Sequence, residues 1–234
     1  MKVSVILPTY EEAGNIVALV ERILQCIPED VEPEIIVVDD DSPDGTYRLA
    51  ADRFADDPRV ILVLRTADRG FAKSIRAGIE RSTGDRIVVM DTDFTHDPAE
   101  IPRLLHVGQI YELVSCSRFC AGGRMQDTAH YLVSLLYNWM LRAVLRTQVQ
   151  DNLGGYFTIT KHALERLPFD RIFFGYGDYF FRLIYFAEKS GCKIVELPAE
   201  YKARRAGHSK SSFLKMLLAY SREAIKLKLS ADKS

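Results

Sequence analysis

A chain of 234 residues with 47% apolar and 27% charged side chains has room for a full α/β core and the composition of an ordinary globular protein. Its formal net charge of −1 carries no footprint for nucleic acid, which is excluded as an expected partner. Cys26, Cys116, Cys120 and Cys192 are scattered, with no CxxC pair and no histidine at metal spacing, which fits reduced thiols in a cytoplasmic protein.

Met1-Lys2 runs directly into an apolar segment, so no signal peptide is expected, and no apolar run reaches the ~20 residues that cross a bilayer. Any work at a membrane is expected from its side. Residues 3–7 read as a buried strand, 8–10 as a turn and 11–26 as an amphipathic helix through Ile16, Leu19, Val20, Ile23 and Leu24. A strand over 34–38 ends in Asp39-Asp40-Asp41, and a helix over 44–54 follows. Then come a strand over 60–64, a helix over 73–81, a strand over 86–90 ending at Asp91, a helix over 99–106 and a short strand over 113–117.

Further along, 126–146 reads as a long aromatic helix, and 151–160 as a glycine-containing loop entering a strand. A helix over 179–189, a strand over 193–197 and a last helix over 212–229 complete the chain. Near-continuous apolar strands alternating with amphipathic helices predict α/β architecture, a mainly parallel central sheet with helices on both faces. The absence of repeats and linkers predicts a single domain over 1–234. In such sheets the ligand lies beyond the carboxyl ends of the strands, where the aspartates collect.

Asp91-Thr92-Asp93 sets two carboxylates where a strand breaks into a loop. Paired hard oxygens of this kind suit Mg²⁺ or Mn²⁺ on a nucleoside diphosphate. The bland account is a solvated turn leading to the Asp97-Pro98 helix start. A second acidic run, Asp39-Asp40-Asp41-Ser42-Pro43-Asp44, ends another strand, and such crowding is costly without cations or donors nearby. We expect Ser42 or Asp44 to cap the next helix and Asp39 to face a ligand cleft. Arg204-Arg205-Ala-Gly207-His208-Ser209-Lys210 suits a diphosphate or, as readily, a solvated loop. Neither GxxxxGK[ST] nor a GxGxxG after the first strand is present, which argues against a P-loop NTPase and a dinucleotide dehydrogenase.

The segments Val3-Ser-Val-Ile-Leu-Pro8-Thr-Tyr10-Glu11-Glu12 and Val37-Val-Asp39-Asp40-Asp41-Ser42-Pro43-Asp44-Gly45-Thr46 resemble the opening of family 2 glycosyltransferases, of GT-A (Rossmann-like) fold. More narrowly, the chain is similar to dolichol-phosphate mannose synthases and related polyprenyl-phosphate sugar synthases. The likeness continues through Arg69-Gly70, Asp91-Thr92-Asp93 with His96 and Pro98, Ser117-Arg118-Phe119, Asp151-Asn152-Leu153-Gly154-Gly155, Glu196-Leu197-Pro198 and Arg204-x-x-Gly207-x-Ser209-Lys210. It implies that Pro8, Tyr10, Glu12, Asp39 and Asp41 hold the nucleotide, with Asp39 on the base edge. Asp91 and Asp93 would place the metal, while Arg118, Arg204 and Lys210 face donor and acceptor phosphates. The implied reaction inverts the anomeric centre, with mannose from GDP-mannose as the first expectation, another nucleotide sugar such as a UDP-sugar as the alternative, and a polyprenyl phosphate as acceptor.

Three departures from the resemblance stand out. Thr95 occupies a place usually taken by Gln, His130 a place usually taken by Arg, and Arg182 a place usually taken by Glu. Asp178 appears nearby, either as the cap of the 179–189 helix or as the base of an enzyme that glycosylates a hydroxyl. The departures also admit a nucleotide-sugar-binding subunit without catalysis. On the last helix Phe213, Met216, Leu217, Tyr220, Ala224 and Leu227 form a stripe flanked by lysines and arginines, so peripheral contact with the cytoplasmic face of a membrane is expected there or, alternatively, packing on the domain. Tyr137 and Trp139 are expected in the core.

Overall fold

A computed structural model describes the backbone at residues 1–126, 128–202 and 213–231, and side chains over the same ranges except 128–130, 213–215 and 231. Arg204 and Lys210, and the side chain of His130, lie outside the described residues. In chain order the elements are β1 (Lys2–Thr9), α1 (Ile16–Cys26), β2 (Glu32–Asp39), α2 (Thr46–Phe54), β3 (Val60–Leu64), α3 (Phe71–Arg81) and β4 (Arg86–Val89). A 3₁₀ turn over Pro98–Glu100 leads into α4 (Ile101–Val107), β5 (Leu113–Ser117), β6 (Arg124–Met125) and α5 (Thr128–Leu145). The rest comprises β7 (Phe157–Thr160), α6 (Lys161–Glu165), α7 (Phe169–Ile172), α8 (Tyr179–Lys189), β8 (Ile194–Pro198), β9 (Glu200–Tyr201) and α9 (Phe213–Ala231).

The central sheet has seven strands in the order β3-β2-β1-β4-β7-β5-β8, and β6 pairs with β9 in a small parallel ribbon. Only β7 runs antiparallel, against both β4 and β5. The strands alternate their buried residues between two cores, as the period of two requires. Ile6, Ile36, Val38, Ile87 and Val89 face the core made with α3, α5, α8 and α9, while Val5, Leu7, Ile35, Val37 and Val88 face the one made with α1, α2 and α4. Both faces are therefore covered, which is why the strands read as continuous apolar runs.

Several expectations need correction. Helix α1 begins at Ile16 rather than residue 11, because Glu11 takes a left-handed φ of 57° and the 11–13 backbone is tied to Ser42, Thr46 and Asp44. The aromatic helix α5 buries Tyr137 but not Trp139, which is 65% exposed together with Leu132 and Leu136. Of the two alternatives for α9, the described part of the stripe takes packing on the domain, burying Tyr220, Ala224 and Leu227, and Tyr137 Oη donates to the Leu217 carbonyl at 3.0 Å across the α5–α9 contact. The apolar residues that α9 exposes are instead Leu218, Ile225 and Leu229.

Candidate active site

The parallel strands deliver their following loops to one edge of the sheet, and antiparallel β7 brings 151–156 to that edge from the other direction. Pairing of β1 with β4 ends at Ile6 and Val89; Pro8 has no N–H with which to continue it, so the two chains part there. Non-glycine residues rarely adopt positive φ. Of the five described that do, Glu11, Asp41, Asp68 and Phe94 fall one each in the loops after β1, β2, β3 and β4. Strain collected in this way is kept where surrounding structure over-determines it, commonly at functional sites.

The acidic run after β2 divides its labour. Asp39 is fully buried; its carboxylate accepts from Ser42 N at 2.8 Å, Ser42 Oγ at 2.6 Å and Thr9 Oγ1 at 3.1 Å. Asp40 accepts from Gly70 N at 2.7 Å, Ser74 Oγ at 2.7 Å and Arg65 Nη1 at 2.5 Å, which fastens the start of α3 to β2. Asp41 is exposed and pairs with Arg69. Asp44 accepts from Thr46 N at 3.0 Å and Thr46 Oγ1 at 2.6 Å, holding the start of α2, and from Ala13 N at 3.0 Å. Neither expected residue is the cap: the N-cap of α2 is Gly45, in a left-handed conformation and without a side-chain cap, while Asp44 ties down Thr46 from one residue earlier and Ser42 serves Asp39 and accepts from Glu11 N. Of the remaining nucleotide candidates, Tyr10 is exposed, Pro8 is the next-to-last residue of β1, and Glu12 accepts from Asn15 Nδ2 at 2.8 Å.

Beyond β4 the chain turns back on itself. Asp93, buried, accepts from Thr95 N at 3.0 Å and Thr95 Oγ1 at 2.6 Å, so the threonine that departs from the family pattern supplies a hydroxyl to the second acid. Asp91 is partly exposed, and its N–H donates to His96 Nδ1 at 2.9 Å. Burial lowers the pKa of His96 despite the charges of Asp91 and Asp93. It stacks on Tyr156 at 4.9 Å and meets Tyr201 edge-on at 4.8 Å. Asp97 caps the 3₁₀ turn through Ala99 N at 3.0 Å, as expected, and binds Lys202 Nζ at 2.6 Å. Burial would raise its pKa, but Lys202 and the Ala99 N–H outweigh that and hold it below the ordinary value.

Arg118 follows β5 and forms a buried two-point pair with Asp151, Nε to Oδ2 at 2.8 Å and Nη2 to Oδ1 at 2.7 Å, with its own N–H on Oδ2 at 3.1 Å. Burial opposes its charge, yet Asp151 more than offsets this and raises the pKa further. Glu196 on β8 holds that loop by accepting from Gln150 N at 2.7 Å and Asp151 N at 2.9 Å. The role of Asp151 was not assigned from sequence, although it heads the Asp-Asn-Leu-Gly-Gly segment. Asp178 stands at the N-cap position of α8 but makes no side-chain cap; it pairs with Arg182 instead. The edge therefore unites Asp39, Asp91, Asp93 and Arg118. A groove of about 490 Å³ beside β8 is lined by none of these residues.

Two carboxylates of hard-oxygen character suit a divalent cation whose shell is completed by phosphate oxygens and water. Among the described residues no group of three or more His, Cys, Asp or Glu side chains would enclose a metal unaided. Asp91, partly exposed, and Asp93, buried against Thr95, are donors of that hard-oxygen kind.

The pattern of Glycosyl transferase family 2 matches residues 4–172, across β1 to α7, and includes Asp39, Asp91, Asp93 and Asp151. The chain belongs to that family. Among family relatives, it is 34% identical over 222 residues to an undecaprenyl-phosphate mannosyltransferase of Micrococcus luteus, covering 91% of this chain and 88% of that one. It is 32% identical over 217 residues to a polyprenol monophosphomannose synthase of Mycolicibacterium smegmatis, covering 89% and 80%. A dolichol-phosphate mannosyltransferase of Pyrococcus furiosus is 32% identical over 215 residues, 90% of this chain but 59% of that longer protein. In fold, this family 2 chain resembles glucosyl-3-phosphoglycerate synthase of Mycobacterium tuberculosis in complex with Mn²⁺, uridine diphosphate and phosphoglyceric acid. The TM-score is 0.72 at 20% identity, over 98% of this chain and 78% of that one.

Proposed function

We propose that this family 2 glycosyltransferase moves mannose from GDP-mannose to a polyprenyl phosphate at the cytoplasmic face of a membrane, using Mg²⁺ or Mn²⁺. The observation that carries the proposal is the meeting of Asp39, Asp91 and Asp93 at one sheet edge, in a chain 32–34% identical to three lipid-phosphate mannosyltransferases. A cation held by Asp91 and Asp93 would offset charge on the donor diphosphate; crystals of the similarly folded glucosyl-3-phosphoglycerate synthase contain Mn²⁺ or Mg²⁺ with uridine diphosphate. An oxygen of the acceptor phosphate bonds to the anomeric carbon as the bond to GDP breaks. The electron pair departs with GDP and the centre inverts.

An ionised phosphate needs no general base. That agrees with the commitment of the Asp178 carboxylate to Arg182 Nη1 at 2.5 Å and Tyr176 N at 2.8 Å. Asp39 and Tyr10 would bound the nucleoside, with Pro8, Glu12 and Asp41 around them, and Arg204 and Lys210 would meet the phosphates. Arg118 shapes the site through Asp151 rather than as a solvated cation. Contact with lipid is supported by the exposure of Leu132, Leu136 and Trp139, spaced i, i+4, i+7 on α5, and of Leu218, Ile225 and Leu229 on α9. Among the described residues no helix is long and apolar enough to cross a membrane.

The test is thermal unfolding with GDP, UDP, GDP-mannose and UDP-glucose, each with and without Mn²⁺, followed by transfer to a polyprenyl phosphate. Metal-dependent stabilisation by the guanosine ligands, lost in Asp91→Ala, is expected. Stabilisation by UDP ligands alone would remove mannose, and no response to any ligand would sink the proposal.

A further inference from the structure

We propose that His96 is the positioning residue that sets the affinity of Asp91 for its cation; this rests on Asp91 being a metal ligand as proposed above. The sheet ladder at the end of β4 finishes with Met90 N donating to the Ile6 carbonyl at 3.4 Å. The next N–H, that of Asp91, goes to His96 Nδ1 at 2.9 Å. A ring nitrogen that accepts a hydrogen bond carries no proton, so the ring proton lies on Nε2, and Nε2 is 3.7 Å from Asp91 Oδ2. One ring therefore holds the backbone of Asp91 and stands beside its carboxylate.

The ring itself has little freedom. It is 1% exposed, packed between Tyr156 and Tyr201, whose hydroxyls donate to the Asp97 carbonyl at 2.9 Å and the Gly154 carbonyl at 3.0 Å. The Arg118 guanidinium lies 5.0 Å from the Tyr201 ring centroid. Through these contacts, the loop holding Asp91 is keyed to the loop entering β7, to β9 and to the Arg118–Asp151 pair. Packing alone would be served by any aromatic residue. Only a side chain with an acceptor at the Nδ1 position also receives the Asp91 N–H as His96 does. Groups that orient a ligand in this way typically alter metal affinity about ten- to a hundredfold when removed.

The experiment is titration of Mn²⁺ into the full chain at saturating GDP, with free Mn²⁺ read by its paramagnetic resonance signal. His96→Phe keeps an aromatic ring between the tyrosines but offers Asp91 N–H no acceptor. His96→Asn places an amide oxygen near the former Nδ1. We expect His96→Phe to weaken Mn²⁺ binding about ten- to a hundredfold, His96→Asn to stay within a few-fold of the parent protein, and metal-free GDP binding to be unchanged in both. Should His96→Phe not fold, His96→Gln, which reaches the Nε2 position without an acceptor at Nδ1, takes its place. Parental Mn²⁺ affinity in the folded Phe or Gln variant would overturn the proposal, as would an Asn variant as weak as the Phe one. A parent protein that binds GDP but no Mn²⁺ would overturn the metal assignment and this inference with it. Loss of GDP binding throughout would instead overturn the nucleotide reading.

Discussion

Asp178 and Arg182 stand one turn apart at the head of α8 and are joined at 2.5 Å as an ion pair that is almost wholly buried. The guanidinium also donates from Nε to the Ile172 carbonyl at 3.0 Å and from Nη2 to the Phe174 carbonyl, and it covers the Phe174 ring at 3.7 Å. The 172–178 turn is thus wound around one buried charge. Removing a single partner leaves the other uncompensated, so Arg182→Met is expected to cost about 3–5 kcal/mol in urea unfolding. Asp178→Asn retains an acceptor and should keep transfer to a lipid phosphate within a few-fold. A loss of about 10²-fold or more in a stably folded Asp178→Asn protein would make this carboxylate the base and the acceptor a hydroxyl.

The Arg118–Asp151 pair makes a different prediction, because it is two-pronged and also carries backbone N–H groups. Arg118→Met and Asp151→Asn should each destabilise by about 3–5 kcal/mol, since each strands a buried group. The double variant should cost clearly less than the sum, because the second change removes the stranded partner. Additive losses in a double-mutant cycle would mean that the two residues act separately.

On the outer face of α5, Leu136 and Trp139 are 67% and 65% exposed. If this face enters a lipid interface, each side chain buried there contributes about 1.5–3 kcal/mol. Leu136→Glu with Trp139→Glu should therefore reduce co-sedimentation with anionic vesicles at least about tenfold, leave the unfolding temperature unchanged, and spare transfer to a short-chain acceptor in detergent. Arg222 and Lys226 flank the exposed side of α9, so residual binding should weaken with salt. Unaltered vesicle binding by the folded double variant would remove α5 from the lipid contact.

At the opposite edge of the sheet, Glu34 accepts from Ser4 Oγ at 2.5 Å, Thr83 N at 2.9 Å and Thr83 Oγ1 at 2.6 Å, with Lys2 Nζ at 3.5 Å. Burial works to raise its pKa, but these donors and Lys2 lower it below the ordinary glutamate value. A depressed folded pKa means that the ionised form is favoured by folding. Its stabilisation is complete above the unfolded value, about 4.3, and is lost as pH falls through the folded one. Glu34→Gln should cost about 1–3 kcal/mol at pH 7, and the gap to the parent protein should narrow below about pH 4. A gap of constant size from pH 7 to 3 would show that ionisation of Glu34 contributes nothing.

Much of this molecule was legible residue by residue. The apolar strand runs, the helices over 44–54 and 179–189, and the aspartates at strand ends follow from local periodicity and turn chemistry. The apolar spacing of α1 extends the expected helix too far toward the amino terminus because it says nothing of Glu11, whose left-handed φ accompanies hydrogen bonds that the Glu11 and Ala13 N–H groups donate to Ser42 and Asp44, some thirty positions away. Asp178 illustrates the same limit. Gly177-Asp178 before an apolar run has the pattern of a cap, yet the side chain turns to a guanidinium one turn along.

The sequence by itself determined the layered α/β order, the edge at which the acids gather and the membership of a sugar-transferring family, because strand period, turn residues and motif spacing are properties of short segments. Only the tertiary structure decided which acids are spent inside the fold and which face of a helix is outward. Asp40 is consumed by Arg65 and Ser74 while Asp91 is held partly exposed by His96, and Trp139 points away from the core that takes Tyr137. The physical reason is that a buried charge or ring takes its place from partners brought together by the sheet, and those partners are set by strand order, which no local pattern encodes.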